Sequence, residues 1–114
     1  MARPARQRRI DAAPAYPQFG PRTDRSLPGR IVMTLDEYET IRLIDLQGLT
    51  QAECAVHMDI SRTTVQEIYG SAREKLARSL VEGRELCIHG GDCYICSEET
   101  GQDGNTVRIC RKNQ

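Results

Sequence analysis

From residue 34 to residue 82 the chain contains no proline, only Gly48 and Gly70 as glycines, and apolar residues that recur at helical intervals. Val65, Ile68, Tyr69, Ala72, Leu76 and Leu80 keep the i, i+3, i+4, i+7 rhythm, which predicts one helix over 62–81, stopped by Gly83. Two other helix starts carry capping boxes. Thr34 has Glu37 three residues on, and Thr50 has Glu53 three residues on, so hydroxyl and carboxylate can each satisfy an orphaned backbone N–H. Helices are therefore expected over 35–47 and 51–58, with Gly48 ending the first and Ser61 capping the third. The first helix fits no single stripe. Leu43 and Ile44 spread its apolar surface around the cylinder, as expected of a helix covered on two sides.

The flanks read differently. All five prolines (Pro4, Pro14, Pro17, Pro21, Pro28) lie in the first thirty residues, which predicts an arm over 1–33 with short extended pieces at 8–10 and 30–33. Residues 84–114 are glycine-rich, carry four of the five cysteines and contain the turn signals Thr100-Gly101 and Asp103-Gly104-Asn105. The expected fold is mainly α: a three-helix, helix-turn-helix domain over 34–83, an extended N-terminal arm, and a short cysteine-bearing appendix with β-hairpin character.

The helix-turn-helix reading rests on offsets within 51–70. Ala55 is small where two helices would cross closely, Cys54, Met58 and Ile60 are apolar on the first helix and turn, and Val65 and Ile68 are apolar on the second. Asp59 stands where glycine is usual; it tolerates the left-handed conformation less well than glycine but better than most residues. In such a motif the second helix offers its outward residues to the major groove. Here those are Arg62, Thr63, Gln66 and Glu67, types suited to guanine, a thymine methyl, adenine and cytosine respectively. Thr50, Gln51 and Arg73 are placed for phosphates. Gly70 costs about 1 kcal/mol relative to alanine inside a helix, so it is expected to permit a close approach, by another element or by DNA.

At 114 residues one small domain is expected, and a hydrophobic fraction of 39% suffices for a modest core. The chain is formally neutral, yet residues 1–30 hold seven arginines against Asp11 and Asp24, while residues 31–60 hold six acids against Arg42. A basic arm bearing Arg3, Arg6, Arg8 and Arg9 could track phosphates, its bland counterparts being a solvated tail or an arm folding back on the acidic helix. The longest apolar run spans the four residues Cys93 to Cys96, against the ~20 that cross a bilayer, so no membrane association and a cytoplasmic location are expected.

Several of these segments carry a resemblance. Arg3-Pro4, Arg8-Arg9-Ile10, Phe19-Gly20-Pro21, Leu35-Asp36-Glu37-Tyr38-Glu39-Thr40-Ile41-Arg42-Leu43, Gly48-Leu49-Thr50-Gln51 and Ser71-Ala72-Arg73 follow in this order. As an ordered set they resemble a family of small uncharacterised bacterial and archaeal proteins predicted to bind DNA. Its helix-turn-helix is similar to region 4 of bacterial sigma factors. The resemblance covers about residues 1–91 and implies a DNA-binding, regulatory protein. Members often carry cysteines flanking the Arg-Arg-Ile segment; here Gln7 and Asp11 stand instead.

Cytoplasmic thiols stay reduced, so the cysteines point to metal or redox chemistry rather than a disulfide scaffold. Cys54 falls at an apolar position of the motif and reads as a buried hydrophobe. Cys87, Cys93, Cys96 and Cys110 could supply a tetrahedral thiolate site, with Cys93-Tyr94-Ile95-Cys96 as its knuckle and His89 as a spare ligand. Zinc is the first choice and an iron–sulfur cluster the alternative. His57 has no evident partner and reads as a surface residue.

The expected function is a sequence-specific DNA-binding regulator, homodimeric so that two half-sites are read. Competing readings are a metal- or redox-sensing thiol protein, and an interaction module docking the acids Asp36, Glu37, Glu39 and Asp45 on a basic partner such as RNA polymerase. A thiol oxidoreductase is disfavoured, because no βαβ pattern surrounds Cys93 and Cys96, and no enzymatic activity is expected.

Overall fold

Each expected helix start carries its hydrogen bonds in the computed structural model, which describes residues 7–25, 28–91, 93–100 and 106–112, those beyond Cys93 as backbone only. Helix α1, Leu35–Thr40, begins where the Thr34 N–H donates to Glu37 Oε1 at 2.8 Å. Helix α2, Gln51–Met58, has the complete box: the Thr50 N–H donates to Glu53 Oε1 at 3.0 Å, and the Glu53 N–H donates to Thr50 Oγ1 at 3.1 Å. Helix α3, Arg62–Glu82, is capped by Ser61, whose Oγ accepts from the Thr64 N–H at 3.2 Å. Two left-handed residues punctuate the path. Asp59 (φ 58°) ends α2 and turns the chain toward Ser61, and Gly83 (φ 68°) ends α3.

The misfit in the first helix has a structural answer. Beyond Thr40 the helix widens into a π-helical stretch, Ile41–Leu46, in which the Gln47 N–H donates to the Arg42 carbonyl five residues back. The widening turns Leu43 into a cluster with Cys54, Ala55, Met58 and Val65 from α2 and α3. Tyr38 and Ile41 instead pack on a second cluster that contains Leu35, Ile10, Met33, Ala72, Leu86, Ile88 and Cys93. One helix thus serves two cores, the two-sided cover that its scattered apolar residues imply.

The flanks are not independent of each other. Strands β1 (Arg8–Ile10), β2 (Gln18–Phe19) and β3 (Ile31–Met33) precede the helices; β4 (Leu86–Ile88), β5 (Cys93–Thr100) and β6 (Thr106–Lys112) follow them. They interleave into two three-stranded sheets of order β1-β5-β6 and β2-β4-β3. β1 runs parallel to β5, Arg8 opposite Cys93, and β3 parallel to β4, Ile31 opposite Leu86. The expected short strands and terminal hairpin are present, but the arm is stitched to the appendix rather than extended away from the body. The reason is apolar cover: Ile10, Met33, Leu86, Ile88 and Cys93 can leave water only by closing over α1 and α3 together. The architecture is mixed and mainly helical.

Among the described residues no helix is long and apolar enough to cross a membrane. Gly70 lies inside α3 with an ordinary helical φ, and a Cβ built on it would meet nothing within 4 Å. Among the described residues no other element therefore makes the close approach expected at this glycine.

Candidate nucleic-acid interface

Helix α3 has two unlike sides. Val65 and Ala72 are fully buried; at 100° per residue Thr63 and Glu67 lie opposite them and Arg62 and Gln66 on one flank, all four exposed. The structure therefore brings the four expected base-reading residues onto one accessible surface, at the end of α3 that Asp59 and Ser61 turn outward from α2. Arg73 belongs to the same surface two turns on. Its guanidinium lies 5.4 Å from the centre of the Tyr69 ring, and the Tyr69 hydroxyl donates to Asp45 Oδ1 at 2.7 Å. That hydrogen bond, more than burial, raises the Tyr69 pKa and keeps the phenol protonated.

Neither Tyr69, read from the sequence as part of the apolar stripe, nor Asp45, read as one of the acids of an interaction module, is among the DNA-contact candidates. The Tyr69/Arg73 pair has i, i+4 spacing and could have been found from it. Asp45, on another helix, carries no local signal.

The phosphate candidates divide. Thr50 is exposed, but its hydroxyl and amide are both engaged in the box with Glu53; Gln51 is half-buried. Glu53 has its carboxyl held below the usual range by those Thr50 hydrogen bonds, so α2 already has an anion at its N-terminus. Arg8 and Arg9 sit in β1, half-buried, with Arg8 Nε 3.7 Å from Asp36 Oδ2. They belong to the extended piece expected at 8–10, which pairs with β5 and folds back on the acidic first helix, one of the two bland alternatives for the arm. Arg3 and Arg6 lie outside the described residues.

A buried carboxylate holds α3 against α1. Glu37 Oε1 accepts from Lys75 Nζ at 2.6 Å, and Oε2 accepts from Ser71 Oγ at 2.5 Å. Burial alone would push the Glu37 carboxyl up, but Lys75, Ser71 and Thr34 together outweigh it and hold the group below its ordinary value. Because the folded pKa is the lower one, this stabilisation is complete above the unfolded-state value and is lost as pH falls through the folded one. Melting temperature is accordingly expected to drop on acidification below about pH 5, with a shallower drop in Lys75→Met, checked by thermal melts from pH 7 to pH 3. An equal pH dependence in both proteins would remove Glu37 as a cause.

The four cysteines of the appendix lie on three strands: Cys87 on β4, Cys93 and Cys96 on β5, and Cys110 on β6. Cys93 is buried with Ile10, Leu35 and Ile88, whereas Cys87 is buried in the other sheet, with its thiol 3.5 Å from Glu85 Oε1. Of the four cysteines expected to hold zinc or an iron–sulfur cluster, Cys87, Cys93, Cys96 and Cys110, the two whose side chains are described, Cys87 and Cys93, belong to different sheets. Cys96 and Cys110 are directly opposed in register across β5 and β6, while their side chains lie outside the described residues. His89 is exposed at the end of β4. Cys54 behaves as expected of a buried hydrophobe: burial, reinforced by Glu39, pushes its thiol up to about 11.

His57 corrects the sequence reading. Its Nε2 lies 3.0 Å from both oxygens of Asp11. Asp11, Glu39 and His57 are, among the described residues, the one group of three that brings possible metal-ligand atoms within 4.8 Å of one another. Arg42 already occupies the middle of that group. It donates from Nε to Glu39 Oε1 at 2.6 Å, and from Nη2 to Glu39 Oε2 at 3.0 Å and to Asp11 Oδ2 at 2.5 Å. The carboxylates are thus neutralised by a guanidinium, and the cluster ties the segment after β1 to α1 and α2.

Comparison with known proteins adds the family context. The family described as "Protein of unknown function DUF134" matches residues 1–96. A UPF0251 protein of Desulfitobacterium hafniense (strain Y51) is 50% identical over 97 residues, covering 84% of this chain and 78% of that protein. A UPF0251 protein of Halothermothrix orenii is 45% identical over 96 residues, covering 81% of this chain and 69% of that one. One from Caldicellulosiruptor bescii is 42% identical over 123 residues, covering 100% and 86%. No solved structure matches the chain.

Proposed function

We propose that the chain, which belongs to the DUF134 family, is a sequence-specific DNA-binding protein that regulates transcription through a helix-turn-helix formed by α2 and α3. In this reading α3 enters the major groove, Arg62, Thr63 and Gln66 meet base edges, and Arg73 meets a phosphate. The observation that carries it is the polarity of α3: its inner face is sealed in the core while Arg62, Thr63, Gln66 and Glu67 stand exposed together. The left-handed turn at Asp59, the cap at Ser61 and the shared core of Leu43, Cys54, Ala55, Met58 and Val65 support the helix-turn-helix assignment.

A single recognition helix reads few base pairs, so a homodimer on two half-sites is part of the proposal. Binding-site selection from random duplexes, followed by gel shifts over a salt series, tests it. The expected result is an enriched motif bound with a steep negative salt slope. Failure to enrich any motif, with no retention of duplex at low salt, overturns the reading.

A further inference from the structure

We propose that Gly70 is a positioning residue of the DNA interface: it leaves the backbone of α3 bare where a sugar–phosphate strand packs against the helix beside Arg73. This inference rests on the DNA-binding reading of α3 and identifies where the wall of the groove meets it.

Glycine at this position is unexplained from within. It lies in the interior of a 21-residue helix, where glycine is less favourable than every residue except proline. Its φ is not positive, so no turn or left-handed geometry requires it. A Cβ would touch no atom of the described chain within 4 Å, so no packing requires it either. What remains is an external surface that comes close to the helix backbone.

The position of the glycine indicates which surface. At 100° per residue Gly70 falls in the middle of the exposed arc of α3, between Gln66 one turn before and Arg73 one turn after. On one side of that arc stand Arg62 and Arg73, the latter stacked on Tyr69, which is anchored on Asp45. On the other side Glu67 lines a shallow groove in which Glu37 is already paired with Lys75. A polyanion approaching Gly70 is therefore drawn to the flank that carries Arg62 and Arg73. Arg73 has its guanidinium pre-ordered on the ring, so less freedom is lost when it meets a phosphate.

Two substitutions separate this role from folding. Gly70→Ala removes the helix penalty without any internal clash, so it is expected to raise the melting temperature by roughly 4 °C. The same variant is expected to bind the selected duplex about tenfold more weakly, because the methyl stands off the strand, and Gly70→Gln about a hundredfold more weakly. Stability and affinity moving in opposite directions is a signature that a purely structural glycine does not give.

The experiment pairs thermal melts with equilibrium binding to the selected duplex, for the unsubstituted protein and both variants. Unchanged affinity in both variants, while the unsubstituted protein binds, overturns the role of Gly70 and leaves the reading of α3 standing. Absence of DNA binding by the unsubstituted protein overturns that reading and the role of Gly70 with it.

Discussion

The double variant Arg62→Ala, Gln66→Ala is expected to lose about 10²–10⁴-fold in affinity for a selected duplex, since each good bidentate base contact is worth ~1–3 kcal/mol of discrimination. Both side chains are exposed, and among the described residues neither makes a hydrogen bond or ion pair. The melting temperature should therefore stay close to that of the unsubstituted protein, because surface changes away from caps and buried networks usually stay within about ±0.5 kcal/mol. Affinity for random duplex should fall far less, as that term comes from phosphates met elsewhere on the surface. Gel shifts with selected and scrambled duplexes, alongside thermal melts, read all three quantities. If selected-site affinity stays within threefold, the first turns of α3 do not read bases, and the recognition surface has to be sought on another element.

Where local chemistry decides the structure, the residues announce it. The three helix starts at Thr34, Thr50 and Ser61 and the stops at Gly48 and Gly83 depend on side chains within four residues, and each lies where capping chemistry implies. The π-helical stretch is also legible, though only as the refusal of Leu43 to join a stripe. Parallel pairing is not. β1 finds β5 and β3 finds β4 across the whole helical body, and short strands of three residues carry no register signal that points to a distant partner.

The same division holds at the sites. The exposed face of α3 follows from period alone, whereas the Asp45 support of Arg73 and the Asp11–His57 contact join residues far apart in the chain. A Cys-x-x-Cys spacing does not say whether it falls in a turn or in a strand; at Cys93–Cys96 the strand formers Tyr94 and Ile95 carry the signal for β5. Charge alone leaves the arm free or folded back on the acidic helix; Ile10, completely buried next to Arg8 and Arg9, draws both arginines into the sheet.

Replacing Glu39 should have the largest effect on stability. Its carboxylate is completely buried, accepts from Arg42 Nε and Nη2, and also accepts from the Asp11 N–H at 3.0 Å. Glu39→Ala leaves the Arg42 guanidinium with Asp11 alone and strips the Asp11 amide of its acceptor. Breaking one side of a buried pair costs about 3–5 kcal/mol, a large share of the ~5–15 kcal/mol that holds a small domain folded. For a chain of this length the melting temperature should fall by roughly 10–20 °C. Glu39→Gln keeps an acceptor for the Asp11 amide and loses only the charge, so it should fall between Glu39→Ala and the unsubstituted protein.

Adding Arg42→Ala to Glu39→Ala should cost less than the sum of the single changes, because the bonds between Glu39 and Arg42 are lost only once and no guanidinium is left short of its Glu39 acceptors. Faster amide exchange at Asp11 in Glu39→Ala would locate the damage where the segment after β1 is tied down. Stability of Glu39→Ala within about 1 kcal/mol of the unsubstituted protein, or strict additivity with Arg42→Ala, would mean that apolar closure of the sheets alone holds β1 in place.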